Sequence, residues 1–159
     1  MDVKNKRIVV TGAASGIGKA LCEAFHEAKA QSIVAVDMNL DGAQETADSV
    51  NGIAIKANVG SEEDTINIIE KSDEHAGGID IFCSNAGIGG VPGFFEVNAS
   101  DWQNIWDVNV QSHIFAAKHV LPQMIERGEG YLVNTSSAAG LLTQLGAAGY
   151  SVCLLYTSD

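Results

Sequence analysis

Two features of this sequence could act on a phosphate-bearing ligand. The first is "TGAASGIG" at 11–18. There Gly12 permits a tight turn, Gly16 lets backbone approach a ligand, and Gly18 lets a helix pack close to the strand before it. The free N–H groups at the helix start, around Ser15, Gly16, Ile17 and Gly18, together with the helix dipole favour a pyrophosphate. The second is Asp37, 19 residues beyond Gly18. A carboxylate near that spacing accepts hydrogen bonds from adenosine ribose hydroxyls and repels a 2′-phosphate. No Lys or Arg stands at 13–16 or 38–40 to receive such a phosphate, which favours NAD over NADP. Taken singly, the loop also fits a plain strand–helix turn, and Asp37 fits an acid facing solvent.

These residues need elements to position them. "RIVVT" (7–11), "SIVAVD" (32–37), "GIAIKA" (52–57), "IDIFCSNAG" (79–87) and "GYLVNTSS" (130–137) read as five strands. Helical patterns separate them. Ile17, Ala20, Leu21, Ala24, Phe25 and Ala28 fall on one predicted face, and 41–50 reads as a weaker helix with Ala43, Ala47 and Val50 inward. Ser61 is the expected N-cap of a third helix, with Glu62, Glu63 and Asp64 in its first turn. Ser100 and Gln103 make a capping-box pattern for a long helix carrying Trp102, Ile105, Trp106 and Phe115, with a kink or break expected at Pro122. Strands separated by helix-sized crossovers predict an α/β fold, a doubly wound parallel sheet with helices on both faces. Ligands of such sheets bind beyond the carboxyl ends of the strands.

Composition narrows the function classes. The 159 residues are 46% hydrophobic and 18% charged, an ordinary globular balance. No apolar run approaches the ~18–20 residues that cross a bilayer, and the N-terminus carries no secretory pattern, so the expected location is cytoplasmic. A net charge of −11, with no basic cluster, argues against nucleic acid. Cys22, Cys83 and Cys153 form no C-x-x-C pair and read as buried free thiols. The four histidines, at 26, 75, 113 and 119, show no metal-binding spacing, and no metal is expected.

The motifs together resemble the classical short-chain dehydrogenase/reductase family. The glycine spacing of "TGAASGIG", "SNAG" (84–87), "DVNV" (107–110), "LVNTSSAAG" (132–140) and Tyr150, 13 residues after Ser137, match that family in order over residues 6–151. The resemblance implies a Rossmann-like sheet with five of the usual seven strands, and an oxidoreductase moving a hydride between a nicotinamide and an alcohol or ketone. It gives Ser137 a hydrogen bond to the substrate oxygen, Tyr150 the proton transfer, and Asn109 a water in the proton relay. Asn85, Ala86 and Gly87 would line the adenosine side, together with Asn58 and Val59. Asn58 stands where the family usually has an Asp, and its carbonyl can accept the same bond from the adenine amino group. Residues 88–96, "IGGVPGFFE", and 141–145, "LLTQL", would line one side of an apolar substrate pocket. The family's members form dimers and tetramers, so a homo-oligomer is expected of a full-length protein only.

One position departs from the pattern. The family places a Lys four residues after the Tyr, where its ammonium favours the phenolate and holds the nicotinamide ribose. This chain has Leu154, and no Lys follows Lys118. The closing "CLLYTSD" resembles translated sequencing-adapter read-through. Residues 1–152 are therefore expected to be an incomplete dinucleotide-binding domain and 153–159 a non-native tail. Such a fragment is expected to be inactive and to leave its fifth strand an open edge. A binding protein of the same fold, a dinucleotide sensor or scaffold without catalysis, is the competing expectation.

Overall fold

The computed structural model describes residues 2–89, 97–142 and 146–156. Five parallel strands form one sheet: β1 (Arg7–Thr11), β2 (Ser32–Asp37), β3 (Ile53–Lys56), β4 (Ile81–Ser84) and β5 (Tyr131–Asn134). Their spatial order is β3-β2-β1-β4-β5. Val9 lies level with Val34 on one side and Phe82 on the other. Helices α1 (Gly16–Glu27), α2 (Leu40–Ser49) and α3 (Glu62–Ala76) fill the first crossovers. The crossover from β4 to β5 carries α4 (Ala99–Trp106), a wider π-helical stretch over Asp107–Gln111, and α5 (Ser112–Arg127). A short 3-10 turn (Ala138–Gly140) and α6 (Ala148–Tyr156) follow β5.

Alternation along the strands explains the two layers. Ile8, Val10, Ile33, Ala35, Ile81 and Cys83 point to one face, where Cys22 of α1 and Ala47 of α2 cover them. Val9, Val34, Val36 and Phe82 point to the other, beneath Ile68 of α3 and Ala116, Val120 and Met124 of α5. A sheet buried on both faces is what a parallel arrangement requires. β5 is less covered: Tyr131 and Val133 are 45% and 40% exposed.

At the carboxyl-opposite end of the sheet, Asp80 is buried and binds Arg7 through both Nε (2.8 Å) and Nη2 (2.5 Å). Arg127 completes the cluster from α5, 3.8 Å from the same carboxylate. The paired guanidinium of Arg7 holds the Asp80 carboxyl below its ordinary range despite burial.

Three sequence expectations are corrected. The inward face of α1 runs through Gly18, Leu21, Cys22 and Phe25, whereas Ile17 is 63% exposed and Ala20, Ala24 and Ala28 face solvent. The helix is rotated because Gly18 and Cys22, small enough for close approach, take the centre of the contact. The N-cap of α4 is Asn98, whose Oδ1 accepts from the N–H groups of Ser100 and Asp101 while Asp101 reaches back to the Asn98 N–H. Ser100 lies inside the first turn and donates its hydroxyl to Asn98. Pro122 does not end α5, which continues to Arg127 and stops at Gly128 in a left-handed conformation. An irregularity that no residue pattern signalled falls at Asp107–Gln111, a π-helical stretch of a kind frequent at functional sites. Ser61 does cap α3, accepting from the Asp64 N–H.

Candidate active site

The order of the strands reverses between β1 and β4, one feeding a crossover to each side. The crevice beyond their carboxyl ends is the favoured ligand position in an open parallel sheet. Gly12 turns the chain there with φ +70°, and a Cβ on it would lie 2.9 Å from the Ala86 Cα. A Cβ on Gly18 would lie 2.0 Å from the Gly12 carbonyl oxygen, so α1 reaches the turn only with glycine at 18. Thr11 ties both sides together. Its hydroxyl donates to the Cys83 carbonyl and accepts from the N–H groups of Asn85 (2.9 Å) and Ala86 (3.1 Å).

The start of α1 is left open to a ligand. Asn39, Ser61 and Asn98 cap α2, α3 and α4 with side-chain oxygens, and each of those helices has an acid in its first turn. Ser15 makes no side-chain cap, and α1 has no acid in its first turn. The resulting partial positive charge and unsatisfied N–H groups suit a phosphate. The residues present therefore fit a dinucleotide on elementary grounds.

Asp37 stands at the adjoining wall. Its Oδ2 accepts from the Ala14 N–H (3.0 Å) and its Oδ1 from the Asn39 N–H (2.9 Å), which fixes the carboxylate at the rim. Beside it, a pocket of about 150 Å³ is lined by Gly12, Asp37, Met38, Asn58, Val59 and Ala86, among others. Asn58 spends its Oδ1 on the Gly60 N–H (3.1 Å), an Asx turn that leaves one lone pair. Met38 and Val108 also stand in this wall, where no sequence signal marked them. Both are apolar neighbours of residues that a sequence signal did mark.

The glycine loop and the Ser137 and Tyr150 side chains border one cleft of about 480 Å³. Its walls hold Gly12, Ser15, Gly16, Ile17, Gly18, Asp37, Asn85, Ala86 and Gly87 together with Ser136, Ser137 and Tyr150. Ser137 caps the 3-10 turn, accepting from the Ala139 N–H (3.3 Å). That turn is pressed on α6: Gly140 is buried, and a Cβ on it would lie 2.6 Å from the Leu154 carbonyl oxygen. This contact brings Ser137 beside the helix that bears Tyr150.

Asn109 lies in the π stretch and is buried. Its Oδ1 accepts from the Ile88 N–H and its Nδ2 donates to the Ile88 carbonyl, both at 2.9 Å. The side chain thus clamps the loop after β4, with one donor and one acceptor remaining. Leu154, one turn beyond Tyr150, is 6% exposed and faces a second cavity shared with Tyr150, Asn109, His113, Thr135 and Ser136. All three cysteines are buried and in no disulfide. Burial pushes Cys22 and Cys83 up to about 12, so neither supplies a thiolate at neutral pH. Of the expected apolar pocket lining, residues 90–96 and 143–145 lie outside the described residues, while Leu141 and Leu142 are exposed.

A glycine turn, a rim carboxylate and a Ser and Tyr pair around one crevice of a five-stranded parallel sheet agree with a known family: the chain belongs to the short chain dehydrogenase family, whose pattern matches residues 6–153. It is 34% identical over 143 residues to glucose 1-dehydrogenase 2 of Bacillus subtilis, covering 86% of this chain and 55% of that protein. A short chain dehydrogenase/reductase from Burkholderia phymatum, solved in complex with NAD, superposes with a TM-score of 0.94 at 25% identity, over 99% of this chain and 58% of that one. A 7α-hydroxysteroid dehydrogenase, solved with NADH and 7-oxo glycochenodeoxycholic acid, gives 0.92 at 27% identity, over 98% and 62%. The chain thus spans little more than half the length of these relatives. No helix among the described residues is long and apolar enough to cross a membrane.

Proposed function

We propose that this chain is the dinucleotide-binding part of an NAD-dependent oxidoreductase acting on a small alcohol or ketone. One observation carries the reading: a single cleft joins the open start of α1, the Asp37 carboxylate and the Ser137–Tyr150 pair. Nicotinamide bound there would supply or accept the hydride. Gly12, Ser15, Gly16, Ile17 and Gly18 would hold the pyrophosphate, and Asp37 the adenosine ribose. Asn58, Val59, Asn85, Ala86 and Gly87 would line the adenosine side. Ser137 would hold the substrate oxygen, and Tyr150 would give or take its proton. Asn109 would use its remaining polar capacity to hold a water. Asp37 favours NAD over NADP, because an anion at the rim repels a 2′-phosphate.

Leu154 lowers the expected rate, since an alkyl side chain cannot favour a phenolate. That same observation supports a second reading, a dinucleotide sensor or scaffold without catalysis. In either case the protein would work in the cytoplasm, and a homo-oligomer is proposed for the full-length form. Quenching of tryptophan fluorescence by NADH tests the shared core. Saturable binding of NADH, with NADPH weaker, is expected. Absence of binding to a folded chain refutes both readings.

A further inference from the structure

We propose that His113 is the residue through which the Tyr150 proton is exchanged with solvent, across the cavity the two side chains share. The inference rests on the oxidoreductase reading and deepens it. The cavity holds about 60 Å³, room for water between the two groups. Asn109, Thr135 and Ser136 give its wall a polar part, and Leu154 gives it an apolar one. Among the described residues of that wall, Tyr150 and His113 are the two groups able to exchange a proton. Asp37 borders the larger cleft near the phosphate loop, and Lys118 is engaged by Glu62 at 2.6 Å.

The placement follows from the helix. His113 sits four residues after Asn109, just past the π stretch, in the first turn of α5. The Asn109 clamp on Ile88 fixes the segment from which His113 projects. Burial lowers the imidazole below its ordinary range, so the ring is neutral at neutral pH and holds a second proton only in transit. An ammonium at 154 would have held a charge beside the phenol; Leu154 leaves that wall apolar and His113 as the remaining base.

In the oxidising direction, hydride and proton leave the alcohol by separate routes. The carbinol C–H electron pair leaves as hydride to the nicotinamide, and the O–H pair completes the carbonyl. The hydroxyl proton goes to the Tyr150 Oη while the Tyr150 proton passes, through water in the cavity, to a ring nitrogen of His113. The imidazolium then releases one proton to solvent. The alcohol is oxidised, the dinucleotide is reduced, and one proton is freed.

The test needs neither substrate nor dinucleotide. The histidine ring signals of the chain are followed by NMR against pH, in the parent and in Tyr150→Phe, which removes one oxygen. The expected result is that His113 shows, besides its own acid step, a second displacement that tracks the ionisation of a tyrosine. Tyr150→Phe abolishes that displacement and leaves the signals of His26, His75 and His119 unchanged. A His113 profile identical in the two proteins overturns the proposal. Should His113→Gln fold, the rise of phenolate absorbance at 295 nm assigned to Tyr150 moves relative to the parent; an unmoved curve also counts against the relay. NADH binding is measured on the same samples. Its failure would sink the oxidoreductase reading while the His113–Tyr150 coupling stood or fell on the titration alone.

Discussion

Replacing Leu154 by Lys probes the site most directly. Residues four apart on a helix place their Cβ atoms about 5–6 Å from each other. Leu154 and Tyr150 have that spacing in α6 and face the same cavity. Two unit charges ~5 Å apart attract by about 3 kcal/mol at an effective dielectric of ~20. Tenfold corresponds to about 1.4 kcal/mol, so an ammonium at 154 should raise the phenolate population of Tyr150 roughly a hundredfold at a given pH. Desolvation opposes this, because the position is 6% exposed. The cavity and the flexible lysine stem let the charge reach the cleft and keep part of that gain. The assay is absorbance at 295 nm against pH, with Tyr150→Phe subtracted to remove the other tyrosines. If the rise assigned to Tyr150 is unmoved in a folded Leu154→Lys protein, residue 154 does not address the phenol and the site assignment fails. A hundredfold rise without any NADH binding would separate the proton chemistry from the nucleotide.

Asp37→Ala should weaken NADH about tenfold to a hundredfold, the worth of hydrogen bonds to a charged group, and should narrow the gap to NADPH; fluorescence titration reads both. Gly18→Ala places a methyl against the Gly12 backbone, which has no flexible atoms to yield, and should cost about 3 kcal/mol in urea unfolding, the upper end for overpacking. Asp80 contributes to acid stability with a definite sign. Its folded-state carboxyl titrates below its unfolded value, so its contribution is complete above about pH 4 and is lost as pH falls through the depressed value. Asp80→Asn should therefore cost about 3 kcal/mol at pH 7, and the difference from the parent should shrink in acid melts.

The sheet was legible because its signals are local and redundant. Apolar runs such as "SIVAVD", each followed by a helical pattern, leave few arrangements other than a parallel doubly wound one. Asp37, Ser61 and the glycine loop were legible for a similar reason: each sits at an element boundary, where side-chain chemistry and backbone need coincide. What escaped was set by tertiary contact. The facing of α1 is decided by where Gly18 and Cys22 meet the sheet, not by the largest apolar residues. Asn98 outcompeted Ser100 as a cap because its carbonyl reaches two N–H groups at once. His113 carried no spacing signal, since its relation to Tyr150 exists only after α5 and α6 are packed. The Asn109 clamp on Ile88 is likewise invisible in a chain where the two lie 21 residues apart.

The widened coil at 107–111 also sets an angular offset. An α-helix turns about 100° per residue, so one surplus residue taken up in a looser turn re-aims everything after it. Upstream, Ile105 joins Val110 and Cys153 in a small cluster beneath α6. Downstream, Ala116, Val120 and Met124 address the sheet. A single rod is thereby divided into two segments with independent headings, one seating the tyrosine-bearing helix and the other sealing the core. Change at either partner can be absorbed without dragging the other out of alignment.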